Sequence, residues 1–123
     1  MSRDERIRIL IIEDEPIIAM ELQRLVEARG YAVVGSAASS SAALDLLQSP
    51  EIDGAIVDFI LGDDSCEIVA DKLDAMGIPW ALTTGLDVRE IASRFRNVPV
   101  LTKPYLTAEI NAVLDKLYDS STG

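Results

Sequence analysis

Ile9-Leu10-Ile11-Ile12-Glu13-Asp14-Glu15-Pro16 is the stretch on which the fold of this chain turns. Four apolar residues run without a break into two carboxylates, and a proline follows where a helix would begin. So short a continuous apolar run, rich in isoleucine, reads as a strand buried on both faces, as in parallel sheets. Pro16 suits a first helical turn, where its missing N–H costs nothing. Glu13 and Asp14 therefore fall at a strand's carboxyl end, the place where open α/β sheets bind ligands.

The arrangement recurs three times along the chain. AIVD ends on Asp58, WALTTG carries Thr84 and VLTKP carries Lys103. If each run is a parallel strand, three carboxylates, a hydroxyl and an ammonium share one crevice. Residues 7–12, 31–35, 54–57 and 98–102 read as strands, and Pro79 opens another. Between them the apolar spacing is helical. Ile18, Leu22, Leu25 and Val26 fall on one face up to Gly30, a helix stop. Ser39 to Ser41 cap a short helix holding Ala43, Leu44 and Leu47. After a loop through Gly62, a third helix turns Val69, Leu73 and Met76 inward and closes at Gly77. Asp87 and Glu90 have capping-box spacing ahead of Val88, Ile91, Ala92 and Phe95. Thr107 caps a last helix with Ile110, Val113, Leu114 and Leu117 inward, after which SSTG frays. Five strands alternating with five helices predict an α/β, doubly wound parallel sheet with right-handed crossovers and strand order 2-1-3-4-5. That order sets the loops after the first and third strands side by side, so Glu13, Asp14 and Asp58 meet.

Bulk properties agree with one compact domain over residues 1–123, with an ordered core over about 7–118. Of the 123 residues 49% are hydrophobic, and the mean hydropathy of +0.21 is enough for a real core. No apolar run approaches the roughly 20 residues that span a bilayer. The charged start MSRDERIR leads directly into a strand, without a signal-peptide core, so a soluble cytoplasmic protein with no membrane partner is expected. A net charge of −10 and a pI near 4.3 oppose direct nucleic-acid binding, which needs clustered Lys and Arg. With one cysteine, Cys66, and no histidine, neither a disulfide nor a zinc-type ligand set can be assembled.

Converging carboxylates repel, and burying them unpaired is costly, so the cluster calls for a hard divalent cation. Mg²⁺ fits the oxygen ligands, since it keeps several waters and is held by one or two carboxylates plus phosphate oxygens. An aspartate beside Mg²⁺ can attack phosphorus while an ammonium neutralises the transferring group and a hydroxyl bonds another oxygen. Asp58, Lys103 and Thr84 have these chemistries.

The ordered set of an acidic pair after the first strand, an aspartate after the third, Thr-Gly after the fourth and Lys-Pro after the fifth resembles the receiver domain of two-component response regulators. IIEDEP, DFILG and IPWALTTG resemble in particular small single-domain receivers whose fourth strand ends in an Ala-Thr-Gly-like signature. The resemblance implies a flavodoxin-like fold and phosphorelay signalling. Asp58 would accept a phosphoryl group from a phosphohistidine of a sensor histidine kinase or histidine phosphotransfer protein. Asp14 would coordinate Mg²⁺ directly, Glu13 through water, and the backbone carbonyl of Ile60 would add a ligand. Thr84 would be the switch hydroxyl, with Thr83 on the other side of the strand, and Lys103 would pair with phosphate. The Lys103–Pro104 bond is a cis candidate by the same carry-over. Such a protein is no classical enzyme; it catalyses only its own phosphorylation and dephosphorylation, and a downstream protein target reads its conformation.

Blander readings exist for the same residues. Acids at strand ends also cap helices, Glu15 reads as a first-turn acid, and Asp63 and Asp64 as loop and N-cap residues. Trp80 reads as packing and Tyr105 as a loop anchor. A phosphatase of the aspartate-nucleophile type would want a second aspartate where Ile60 stands, and a flavodoxin-like cofactor binder a Ser/Thr/Gly-rich loop in place of EDEP. A phosphorylation-independent binding module with a relic site is the alternative that remains. Three departures from the family pattern stand out. Val100 stands where many receivers carry Tyr or Phe, while Ile60 and Leu86 resemble family positions that flank the path of attacking water, and apolar side chains there cannot orient it, so slow self-dephosphorylation is expected.

Overall fold

A computed structural model describes residues 7–48, 51–61, 64–84, 98–102 and 107–122. The elements follow in the order β1 (Arg8–Ile12), α1 (Pro16–Ala28), β2 (Ala32–Ala37), α2 (Ser40–Leu46), β3 (Gly54–Asp58), β4 (Ile60–Leu61), β5 (Asp64–Ser65), α3 (Cys66–Met76), β6 (Trp80–Thr84), β7 (Val100–Thr102) and α4 (Thr107–Thr122). Five parallel strands form one sheet in the order β2-β1-β3-β6-β7. This is the 2-1-3-4-5 order expected, with a small antiparallel hairpin, β4-β5, inserted after β3. Four helices are present among the described residues, and the helix expected around Val88–Phe95 lies outside them.

Strand alternation divides the apolar residues between two cores, because successive side chains leave a strand on opposite faces. Leu10, Ile12, Ala55, Val57, Trp80 and Leu82 pack with Leu47, Val69 and Leu73 of the α2 and α3 side. Ile9, Ile11, Ile56, Ala81 and Leu101 pack with Leu22 and Val26 of α1 and Ile110, Leu114 and Leu117 of α4. β1 and β3 are thus buried from both sides, which is why their sequences are almost wholly apolar. Each fully buried Leu or Ile contributes about 1.5–3 kcal/mol.

Local signals set the helix ends. Ser39 Oγ accepts from the Ala42 N–H at 3.1 Å and caps α2, as its spacing predicts. Gly30, at φ 102°, and Gly77, at φ 71°, both adopt the left-handed conformation after a helix. Gly30 N–H bonds the Glu27 carbonyl and Tyr31 N–H that of Val26; Gly77 and Ile78 repeat the pattern onto Asp74 and Leu73. Both helices therefore end in Schellman motifs. Arg29 Nη2 reaches Asp115 Oδ2 at 2.8 Å and Tyr31 OH donates to Asp115 Oδ1, tying the end of α1 to α4. This contact raises the pKa of the Arg29 guanidinium, mainly through the hydrogen bond to Asp115.

Several details differ from the sequence reading. β2 continues past Gly35 to Ala37, because β1 offers it partners as far as Ile12 and the Glu13 N–H bonds the Ala37 carbonyl at 2.8 Å. Met76 is 37% exposed rather than inward. The buried stripe of α3 runs Cys66, Val69, Ala70, Leu73, and its next position is Gly77, so Met76 lies on the flank. Asp64 belongs to β5 rather than to a helix cap, and Glu15 is the N-cap of α1, one residue before the first turn. α4 runs through Ser120 to Thr122, since no helix breaker occurs before Gly123.

Candidate functional site

Three strand ends meet at the carboxyl edge of the sheet. Ile12 is the register partner of Val57, so the residues that follow, Glu13 and Asp58, stand side by side on neighbouring strands. One carboxylate oxygen from each of Glu13, Asp14 and Asp58 lies within 4.8 Å of the others. Glu13 and Asp58 are buried, at 2% and 4% exposure, and Asp14 is half-buried. Three acids in so small a space, two of them shielded from water, suit a divalent cation with oxygen ligands and retained waters. The donor set therefore fits Mg²⁺.

Glu13 is also held by its own backbone surroundings. Its Oε2 accepts the Glu15 N–H at 3.1 Å, at the start of α1, where Glu15 makes no side-chain cap. One oxygen of Glu13 thus does the work of a helix cap, and the capping reading of this acid is correct as far as it goes. Glu13 thus both steadies the start of α1 and contributes a carboxylate oxygen to the acidic cluster.

β6 brings two hydroxyls to the same edge. Asp58 is the register partner of Thr83, and Thr84 is that of Thr102 on β7. Both threonines are buried, at 1% exposure each. Alternation puts them on opposite faces, as expected: Thr84 follows Trp80 and Leu82 toward the α2 and α3 core, and Thr83 follows Ala81 toward α1 and α4. Asp58 follows Ile56 and so shares the face of Thr83. The Phe59 N–H bonds the Thr83 carbonyl at 2.8 Å and fixes this register one residue past Asp58. A hydroxyl beside Asp58 was missed in the sequence because nothing there gives the register between β3 and β6.

Ile60, whose backbone carbonyl is a ligand candidate, opens the β4-β5 hairpin and pairs with Ser65. Lys103, Pro104, Tyr105 and Leu86 lie outside the described residues, as does Asp63. Val100 begins β7, half-buried against the α2 and α3 core. Trp80 is packing, as expected, and its Nε1 also donates to Asp74 Oδ1 at 3.0 Å. No helix among the described residues is long and apolar enough to cross a membrane.

Known proteins share both the sequence and the fold. PhyR, the phyllosphere-induced regulator of Methylorubrum extorquens, is 33% identical over 121 residues, covering 94% of this chain and 45% of its own length. The chain spans about half the length of the curated relatives it matches. The solution structure of SdrG from Sphingomonas melonis Fr1 superposes with a TM-score of 0.82 at 36% identity, covering 94% of this chain and 99% of that one. A BeF₃-activated conformation of SdrG, its source given as Pseudomonas melonis Fr1, gives 0.79 at 38% identity, with 89% and 94% covered. Residues 9–115 match the response regulator receiver domain, and with the sheet order and the acidic edge this makes the chain a member of the receiver-domain family of two-component signalling.

Proposed function

We propose that residues 1–123 act as one receiver domain that accepts a phosphoryl group on Asp58 in a Mg²⁺-dependent reaction. The convergence of the Glu13, Asp14 and Asp58 carboxylates at the carboxyl edge of the sheet carries this reading. Asp14 and Glu13, with the Ile60 carbonyl, would hold the metal, which supplies charge neutralisation at the transferring group. A carboxylate oxygen of Asp58 forms the new P–O bond while the donor's P–N bond breaks, the electron pair leaving with the imidazole nitrogen of a phosphohistidine. Thr84 and Lys103 bind the product's phosphoryl oxygens. The BeF₃-activated conformation of SdrG supports the chemistry by analogy, because BeF₃⁻ is a tetrahedral stand-in for a phosphoryl group on a carboxylate.

A histidine kinase or histidine phosphotransfer protein is the donor under this reading, and a protein partner reads the result. A phosphoryl group adds about −1.5 to −2 charges near neutral pH. It shifts a conformational equilibrium only as far as the two conformations stabilise it differently. Intact-mass analysis with acetyl phosphate and Mg²⁺ tests the proposal: the wild type gains one phosphoryl mass, and Asp58→Ala does not. Equal behaviour of the two would favour the alternative, a binding module that works without phosphorylation.

A further inference from the structure

Thr83 Oγ1 is buried and has no hydrogen-bond partner among the described residues. Its neighbours make this unusual, since the hydroxyl sits at the carboxyl edge of β6, level with Asp58 and on the same face of the sheet. Adjacent strands lie about 4.7–4.9 Å apart, so side chains that share a face and a register position are within reach of one another or of a group attached to either. The Phe59 N–H on the Thr83 carbonyl keeps the two strands from sliding. Buried hydroxyls are nearly always satisfied, and an unsatisfied one calls for a partner that arrives later.

We propose that Thr83 is a second phosphoryl-binding hydroxyl of this receiver, donating its O–H to a terminal oxygen of the group carried by Asp58. The inference rests on Asp58 being the phosphoacceptor. No proton is transferred; the hydroxyl exchanges an unbonded state for a hydrogen bond to a charged acceptor, so it favours the loaded form without stabilising the free one. Thr84 then contacts the group from the opposite face of the sheet, and the two hydroxyls flank it.

The test is a titration of the full chain with BeF₃⁻ in saturating Mg²⁺, followed by NMR, on wild type, Thr83→Val, Thr83→Ser and Asp58→Ala. Valine keeps the shape and removes the hydroxyl. Expected are about tenfold or greater weakening in Thr83→Val, as for loss of a hydrogen bond to a charged group, near-normal binding in Thr83→Ser, and a ligand-free melting temperature in Thr83→Val equal to or above wild type. Binding within twofold of wild type in Thr83→Val, with none in Asp58→Ala, overturns the role of Thr83 and leaves Asp58 standing. A lowered melting temperature in Thr83→Val, or failure of serine to rescue, also overturns it, since either marks a purely structural side chain. Normal binding by Asp58→Ala instead defeats the phosphoacceptor reading itself.

Discussion

Trp80 Nε1 lies 3.0 Å from Asp74 Oδ1, so the first residue of β6 is fastened to the last turn of α3. The indole is 4% exposed while Asp74 is on the surface, so the bond spans the boundary between core and water. Asp74→Ala strands the indole N–H and should destabilise the fold by about 1 kcal/mol. Urea unfolding followed by fluorescence measures this directly, because Trp80 is the chain's single tryptophan.

Gly77 ends α3 at φ 71°, a backbone conformation that costs a residue with a Cβ about 1–2 kcal/mol. An added Cβ would meet nothing within 4 Å, so the cost of Gly77→Ala is backbone strain alone. Chemical denaturation should show a loss of that size with an unchanged m-value. A loss near zero would mean that the Schellman turn relaxes.

The three carboxylates at the sheet edge repel one another when no cation is bound. Asp14→Asn should therefore melt higher than wild type in EDTA and gain little from millimolar Mg²⁺, whereas the wild type gains stability with rising Mg²⁺. Differential scanning calorimetry at several Mg²⁺ concentrations separates the two. A Mg²⁺-dependent gain in Asp14→Asn equal to that of wild type would remove Asp14 from the metal site.

Val100 occupies the start of β7 with its side chain half-buried against the α2 and α3 core. Nothing in that position can act as an aromatic rotor, so Val100→Tyr should leave the rate of Asp58 phosphorylation by acetyl phosphate within about twofold of wild type. Stopped incubations quantified by intact mass provide the comparison. A large loss of phosphorylation would tie Val100 to the chemistry.

The meeting of Glu13, Asp14 and Asp58 was legible in the sequence because it needs only two facts, that the runs are parallel strands and that the first strand is the switch point. Neither depends on a single-residue register. Thr83 was legible as a residue but not as a neighbour of Asp58, because pairing Asp58 with Thr83 rather than Thr84 is a one-residue matter, and one residue reverses the face. Met76 misled for a related reason, since 69, 73 and 76 have helical spacing but the helix ends before that stripe returns inward. The β4-β5 hairpin left no trace in the pattern, as two-residue strands are too short for alternation to register.

The sheet is one residue thick, and Asp58 and Thr84, at the ends of the neighbouring strands β3 and β6, leave it on opposite faces. Anything that couples them must pass around the carboxyl rim, because the close-packed interior beneath has no slack to transmit a graded shift. The molecule thereby divides its tolerance to change. Substitutions in the layers below the rim alter how much folded protein exists, and substitutions on the rim alter what the folded protein says.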